Sequence, residues 1–428
     1  MEQFEEYNPN QLNSNQIEEI SFHDGNPKQT AKGKTSDDVV GHLGNLGIET
    51  QDSKNSLFHI RFTSSEKVGE SLTNTFVKYT IEVKTKASTY QNQEFTVVRR
   101  YSDFAWLREQ LQEHYPGYLI PPLPEKQLFN RFNPEFMEFR KKELEKFLQR
   151  VTSHHVLCTS PQLQQFFEFP TDGQAPLKST IKKDQQQSAT GANSGILSFF
   201  GNSIENISSG FSDKSDPDQW FDAKKNYVNG LENQLTALEK VVNNLLKKRK
   251  EYGQAIKEFG LCTSLVASAE ADHDSLTSGA FDRLSDMAAV LASLESQRAD
   301  EEALYFEEPI KDYIRMLGAV KEMLQVRTDK LTHFQSLSKQ LEQKKDKQEK
   351  KANPKVEKEI EELQKKVSDA EDEFRKISDI AKAEIQRFES TKTRDFHNLL
   401  LKLNQIQLTS ELQIVDQWKN ALDNLQQN

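Results

Sequence analysis

The last half of this chain carries apolar residues at alternating spacings of three and four, sustained over lengths that few folds can accommodate. Leu231, Leu235, Leu238, Val242, Leu245, Arg249, Tyr252, Ile256 and Phe259 step in this way, with one arginine among them. A second stripe runs through Ile310, Tyr313, Leu317, Val320, Leu324, Arg327, Leu331, Phe334, Ser338 and Leu341. A third runs through Val356, Ile360, Leu363, Val367, Ala370, Phe374, Ile377 and Ala381. Ile385 and Phe388 then fall one residue out of step, a four-residue stutter of the kind that loosens supercoiling. Breaks near 271–279 (ADHDSLTSG) and at Asn353-Pro354 divide the region into three helices. The second and third would each run about 70 residues, roughly 100 Å, against ~10–14 residues for an ordinary globular helix. Helices so long bury their stripes on one another, so residues 218–428 are expected to form an all-α, elongated three-helix coiled bundle. Pro309 inside the second helix deletes a backbone donor and is expected to bend it, which would give the rod a concave face. A lone three-helix rod leaves seam surface uncovered, so a dimer is expected.

Composition agrees with this reading. The 428 residues leave room for two or three domains, and 35% hydrophobic against 29% charged residues is too polar for one thick core. No run approaches 18 apolar residues, so no spanning helix is expected. The start, MEQFEEYNPNQLN, has no basic leader followed by an apolar stretch, which argues against secretion. Cys158 and Cys262 lie far apart in helical patterns and read as buried thiols. They form no disulfide framework or metal cluster, and a reducing, cytosolic setting is expected. The net charge of -10 argues against a general nucleic-acid binder, and the scattered lysines lack interleaved aromatics.

Residues 1–55 are polar with no sustained period and read as a disordered tail. From Leu57 the pattern changes. Phe58, Ile60 and Phe62 alternate, as do Val77, Tyr79, Ile81 and Val83, and Phe95 and Val97 continue the signal. These predict a three-stranded antiparallel meander. Phe104, Leu107 and Leu111 then mark a helix, and Pro121, Pro122 and Pro124 a stiff extended segment. Phe136, Phe139, Leu144, Phe147, Leu148 and Val151 mark a second helix, and Pro161 opens a third. Residues 56–170 are thus expected to form an α+β domain. Residues 171–217 read as a linker, except that Ile196, Phe199, Phe200, Ile204, Ile207 and Phe211 share one face of a helix over 195–211. Its other face is nearly uncharged. Such a helix suits insertion at a bilayer surface, or docking on either domain.

No catalytic set is present: the histidines form no pair on one helix face beside a carboxylate, and no nucleophile has an evident base. The strongest candidate site lies around Arg99-Arg100-Tyr101, where two arginines end a strand and a tyrosine opens the next helix. Arginine forks match phosphate oxygens, and an aromatic can wall a sugar ring. Lys126 and Arg140 come from two further elements and can converge on the same place. By spacing alone, the ordinary reading of each is a solvated surface charge.

Three separated blocks, FTVVRRYSDFAWLREQL, PPLPEK and EFMEFRKKELEKFLQRV, together resemble the phox-homology (PX) domain of sorting nexins. FEEPIKDYIRMLGAVKEMLQVR resembles the membrane-bending BAR domain of the same proteins, nearest to the retromer-associated Vps5-like sorting nexins. The resemblance implies an α+β PX domain, then a dimeric three-helix BAR domain. It also implies binding of phosphatidylinositol 3-phosphate: Arg100 on the 3-phosphate, Tyr101 stacked on the inositol ring, Lys126 on the 1-phosphate side and Arg140 on ring hydroxyls. Arg99 would have a structural or peripheral part. The implied setting is the cytoplasmic face of early endosomes, in sorting and retrograde transport to the Golgi. The implied partners are a second copy or a related sorting nexin, and retromer cargo-recognition subunits. No cofactor is implied. A coiled-coil adaptor whose head binds cargo protein instead of lipid is the alternative.

The joint between helices two and three reads KQLEQKKDKQEKKANPKVEK, a local excess of lysine over acid. Lys344, Lys345, Lys347, Lys350 and Lys351 are expected to reach an anionic bilayer or to act as a solubilising coat. Lys247, Lys248 and Lys250 form a second basic stretch around the seam residue Arg249.

Overall fold

A computed structural model describes residues 57–69, 75–126, 132–169, 216–350 and 354–426. Three strands, β1 (Phe58–Val68), β2 (Phe76–Thr85) and β3 (Glu94–Arg100), form an antiparallel sheet in the order β1-β2-β3. The predicted alternation sets its inner face: Phe58, Ile60 and Phe62 pair with Thr85, Val83 and Ile81 across the first ladder. A bulge between Phe62 and Ser64 then shifts the register. Helices α1 (Tyr101–His114), α2 (Pro134–Ser153) and α3 (Pro161–Glu168) pack against this sheet, with a 3₁₀ turn at Leu157–Thr159. Phe104, Leu107, Leu144, Phe147, Phe166 and Tyr79 are fully buried in this first core. Ser160 caps α3 by accepting the Leu163 amide hydrogen at 3.2 Å, with Pro161 in the first helical turn.

The remainder is helical: α4 (Gln219–Glu270), α5 (Ser275–Glu302), α6 (Glu308–Lys350) and α7 (Pro354–Gln426). The first break is shorter than expected, because Asp274 accepts the Leu276 amide and restarts the helix at Ser275. Pro309 acts one turn upstream of itself. A π turn, Ala303–Glu307, joins α5 to α6, and the Glu308 amide bonds the Ala303 carbonyl. Proline cannot donate to the carbonyl four residues back, so widening the preceding turn relieves the crowding.

Of the two charged members of the seams, Arg327 is buried and Arg249 half-buried. Arg327 is 1% exposed, stacked 3.5 Å over the Phe221 ring. It pairs with both Asp216 oxygens and donates from Nε to Ser378 Oγ at 3.0 Å. Burial works to raise the Asp216 carboxyl, but Arg327 and the Asp218 amide outweigh it and hold it below the ordinary carboxylate range. Arg249 pairs with Glu295 at 3.1 Å and Glu302 at 3.3 Å.

The seam of α4 does not turn wholly inward. Leu235 and Val242 are buried, whereas Leu238, Leu245, Tyr252, Phe259 and Val266, spaced by sevens, are exposed. Leu401, Leu408, Val415 and Leu422 repeat the pattern on α7. One further expectation needs correction: Cys158 is buried but Cys262 is exposed. At the start of α2, Phe136, Met137 and Phe139 are half-buried and Arg140 is buried.

Candidate functional site

Strand alternation sends the paired arginines opposite ways. Arg99 goes inward and is 1% exposed. Its Nε donates to the Phe166 carbonyl at 2.6 Å, and its Nη2 to those of Phe167 and Phe169 at 3.3 and 3.0 Å. These carbonyls close the end of α3, where helix groups lack internal partners and a cation is favoured. Burial pulls the guanidinium down to about 10, with Asp103 opposing. Arg99 is a structural clamp, as expected.

Arg100 takes the other face. Its backbone amide donates to Asp103 Oδ2 at 2.8 Å, which starts α1, and its guanidinium lies 5.3 Å from the Phe76 ring centre. The next residue, Tyr101, donates its hydroxyl to the Pro124 carbonyl at 2.7 Å, and burial raises its phenol pKa. Arg140 sits 4.8 Å over the Tyr101 ring and 4.3 Å over Phe136, and its Nη2 donates to the Glu125 carbonyl at 3.1 Å. It also lies beside the buried Tyr79 hydroxyl, which burial pushes up to about 12 against the opposing pull of Arg140. Lys126 is exposed at the end of the same proline segment.

Tyr101, Arg140 and the Pro124–Glu125 end of the proline segment therefore meet, while the Arg100 guanidinium lies over Phe76 and Lys126 follows the segment in the chain. Arginine forks and aromatic faces are the groups that suit an anionic sugar phosphate. Spacing alone could not distinguish Arg140 from a solvated surface charge, whereas the structure buries it.

Ile196, Phe199, Phe200, Ile204, Ile207 and Phe211 lie outside the described residues, as do the tail at 1–55 and most of the linker. In the basic joint, Lys345 and Lys347 are exposed, and Lys344 pairs with Glu359 across the α6–α7 joint at 2.5 Å. Lys350 ends α6, and Lys351 lies outside the described residues. In the second basic stretch, Lys248 pairs with Glu251 at 2.8 Å and Lys250 with Asp300 at 2.8 Å. Their charges are met within the chain.

A further set of contacts escaped sequence reasoning altogether. The first domain is tied to the helical bundle by charge pairs: Arg150 with Asp312, Arg315 with Glu143, and Arg108 with Glu322 at 2.5 Å. Glu384 of α7 accepts from the Leu119 amide at 3.1 Å, His154 Nε2 at 3.0 Å and Arg387 at 2.6 Å. His154 Nδ1 accepts from the Val156 and Leu157 amides, so the network assigns a neutral imidazole protonated at Nε2. Burial lowers its pKa, which keeps it neutral. No spacing rule relates residues so far apart in the chain.

Fold and site together define a peripheral membrane-binding protein: a cationic, aromatic-walled head on a helical bundle with uncovered heptad stripes. Among the described residues, no helix is long and apolar enough to cross a membrane. Residues 196–424 match the family described as Vps5 C terminal like, and residues 87–170 match the PX domain. Sorting nexin-1 of Homo sapiens is 27% identical over 386 residues, which cover 85% of this chain and 71% of that protein. Sorting nexin 1 of Arabidopsis thaliana is 29% identical over 396 residues, covering 90% and 96%. The cryo-EM structure of the SNX-BAR Mvp1 tetramer shares the fold, with a TM-score of 0.64 at 17% identity over 85% of this chain and 99% of that one. The chain belongs to the PX-BAR sorting nexins, with a Vps5-type C-terminal region. It is a membrane-binding protein of endosomal sorting that senses or generates curvature, peripheral on endosomal membranes. The family binds phosphoinositides and acts as dimers.

Proposed function

We propose that this chain recognises phosphatidylinositol 3-phosphate on early endosomes and acts in endosome-to-Golgi retrieval, as a scaffold without turnover. The observation that carries the reading is the meeting of Tyr101, Arg140 and the proline segment. Arg100 takes the 3-phosphate, Tyr101 walls the ring, Arg140 serves the ring hydroxyls and Lys126 the 1-phosphate side. The head spans 56–170 and the BAR region 218–428, joined by the linker 171–217. The stripe from Ile196 to Phe211 inserts between headgroups, and the lysines of the α6–α7 joint meet anionic lipid. The uncovered heptads of α4 and α7 support pairing with a second copy or a related sorting nexin. The assembly offers a surface to retromer cargo-recognition subunits. Two modest pockets and several surface contacts then act through effective concentration.

Liposome sedimentation across all phosphoinositides, with wild type and Arg100→Ala, tests the reading. Wild type should prefer phosphatidylinositol 3-phosphate and the variant should lose binding with its fold intact. Near-normal binding by Arg100→Ala removes the pocket assignment, and capture of a cargo tail by a lipid-indifferent head would favour the adaptor alternative. Phe200→Glu should weaken liposome tubulation, and unchanged tubules would defeat the insertion claim.

A further inference from the structure

The proline segment belongs to both halves of the molecule. At its start, Leu119 is 4% exposed and lies in the core of the helical bundle, while the adjacent Ile120 lies in the core of the head. The Leu119 amide donates to Glu384 of α7 at 3.1 Å. The preceding turn sits directly on the same helix: Gly117 has φ +88°, and a Cβ there would meet the Ile377 carbonyl oxygen at 3.1 Å. Midway, the Pro121 carbonyl accepts from Arg108 Nε at 2.9 Å, and Arg108 also pairs with Glu322 of α6. At its far end, the Pro124 and Glu125 carbonyls hold Tyr101 and Arg140, and Lys126 follows.

Prolines at 121, 122 and 124 remove three amide donors and fix the local backbone, so the segment cannot secure itself by a ladder of its own. Its place is set by its ends and by the carbonyls it offers. A polyproline-like strand is stiff and transmits a shift at one end to the other over about 20 Å.

We propose that the BAR bundle positions the ligand-facing end of this segment, which makes Glu384 and the Leu119 seat positioning residues for the headgroup site. The proposal rests on the phosphoinositide reading above. Glu384 fixes where the segment begins, Arg108 and Glu322 fix its course, and the segment then fixes Tyr101, Arg140 and Lys126 relative to one another. The ligand in question is the soluble inositol phosphate headgroup itself, so the effect is independent of avidity, insertion and dimerisation.

The test uses the full chain and inositol 1,3-bisphosphate as the probe, by titration calorimetry. Glu384→Ala, which removes a charge-assisted hydrogen bond, and Leu119→Ala, which empties a buried apolar seat, should each weaken binding on the order of ten-fold. Glu384→Gln keeps an oxygen for the Leu119 amide but turns its NH2 toward the His154 Nε2–H, so it should weaken binding by less than Glu384→Ala does. Glu389→Ala, which breaks the Lys224–Glu389 pair inside the bundle, should leave affinity unchanged. Amide hydrogen exchange at Glu125 and Lys126 should speed up in Glu384→Ala, without matching acceleration in the core of the head. If Glu384→Ala and Leu119→Ala bind as wild type does, while Arg100→Ala abolishes binding, the positioning role is wrong and the pocket stands. If Arg100→Ala also binds normally, the pocket assignment falls and this proposal with it. Loss in Glu389→Ala equal to that in Glu384→Ala would reduce the effect to bundle stability and overturn the proposal.

Discussion

Adjacent arginines with opposite duties allow a sharp experiment. Arg99→Ala removes a buried fork that closes the end of α3 through the carbonyls of Phe166, Phe167 and Phe169. A hydrogen bond from a charged donor is worth about 1.5–3 kcal/mol, and a buried acceptor left bare costs about 1–3 kcal/mol. These terms do not add, because the variant also recovers the cost of desolvating the guanidinium. A net loss of about 3–5 kcal/mol is expected, the range seen when one member of a buried charged network is removed. At roughly 4–8 °C per kcal/mol for a domain of this size, the head should melt about 12 °C lower or more. Arg99→Lys should recover little. One ammonium cannot span three carbonyls, and the burial that draws Arg99 down to about 10 acts on a group that starts lower.

Trp106, 5% exposed, reports the head directly once Trp220 and Trp418 are changed to Phe. Its fluorescence should show the early transition in Arg99→Ala, while Arg100→Ala melts near wild type yet fails to bind liposomes. A midpoint for Arg99→Ala within about 1 °C of wild type would refute the clamp.

Three further perturbations probe the joint and the bundle. Gly117→Ala forces a left-handed backbone against Ile377 and should cost about 1–3 kcal/mol in urea denaturation; a neutral result would mean the turn shifts freely on α7. Burial holds the His154 imidazole below its ordinary 6.5, with Arg387 and His155 acting the same way and Glu384 opposing. The unfolded chain therefore takes up the proton first, so stability should fall as pH drops below about 6.5. The lowered carboxyls of Glu384 and Asp312 add their losses only below about 4, outside that window. Melting curves between about pH 7.5 and 5.5 should slope in wild type and flatten in His154→Gln; equal slopes would contradict the neutral imidazole. In the bundle, Asp216→Ala strands a guanidinium that is 1% exposed and should cost about 3–5 kcal/mol, with most of it returned by adding Arg327→Met; no recovery in the double variant would show that the pair is not the source.

What the sequence makes legible is periodicity within one element. Alternation at Val77, Tyr79, Ile81 and Val83 names the inner face of β2 because a strand has only two faces, and all four are buried. A helix offers more ways to err. Phe136 and Phe139 fit a core stripe, yet the inner position goes to Arg140, whose guanidinium is held by two rings and a carbonyl. Arg100, Tyr101, Lys126 and Arg140 are individually visible in three sequence blocks, but the meeting of Tyr101 and Arg140 depends on a proline segment whose anchors lie in another domain. The stutter near Ile385 is visible as an irregular step. Its consequence is seen only when α7 is packed: the widened buried face admits Glu384 beside Ile385, where it receives Leu119 and His154.

The same limit explains the seams. A three-four repeat says that a stripe will be covered, but not by whom. Within one chain, Leu235 and Val242 find neighbours, while Leu238, Leu245, Tyr252, Phe259 and Val266 stay in water, one to every seventh residue. That half of the seam, with Leu401, Leu408, Val415 and Leu422 on α7, is the part of the pattern that a single chain cannot satisfy. Pairing is thus already implied by which residues the bundle leaves uncovered. If each chain carries one headgroup site fixed to its bundle by Glu384 and Glu322, pairing also sets two sites at a fixed separation. A membrane is then read by where its headgroups can stand, as well as by what they are.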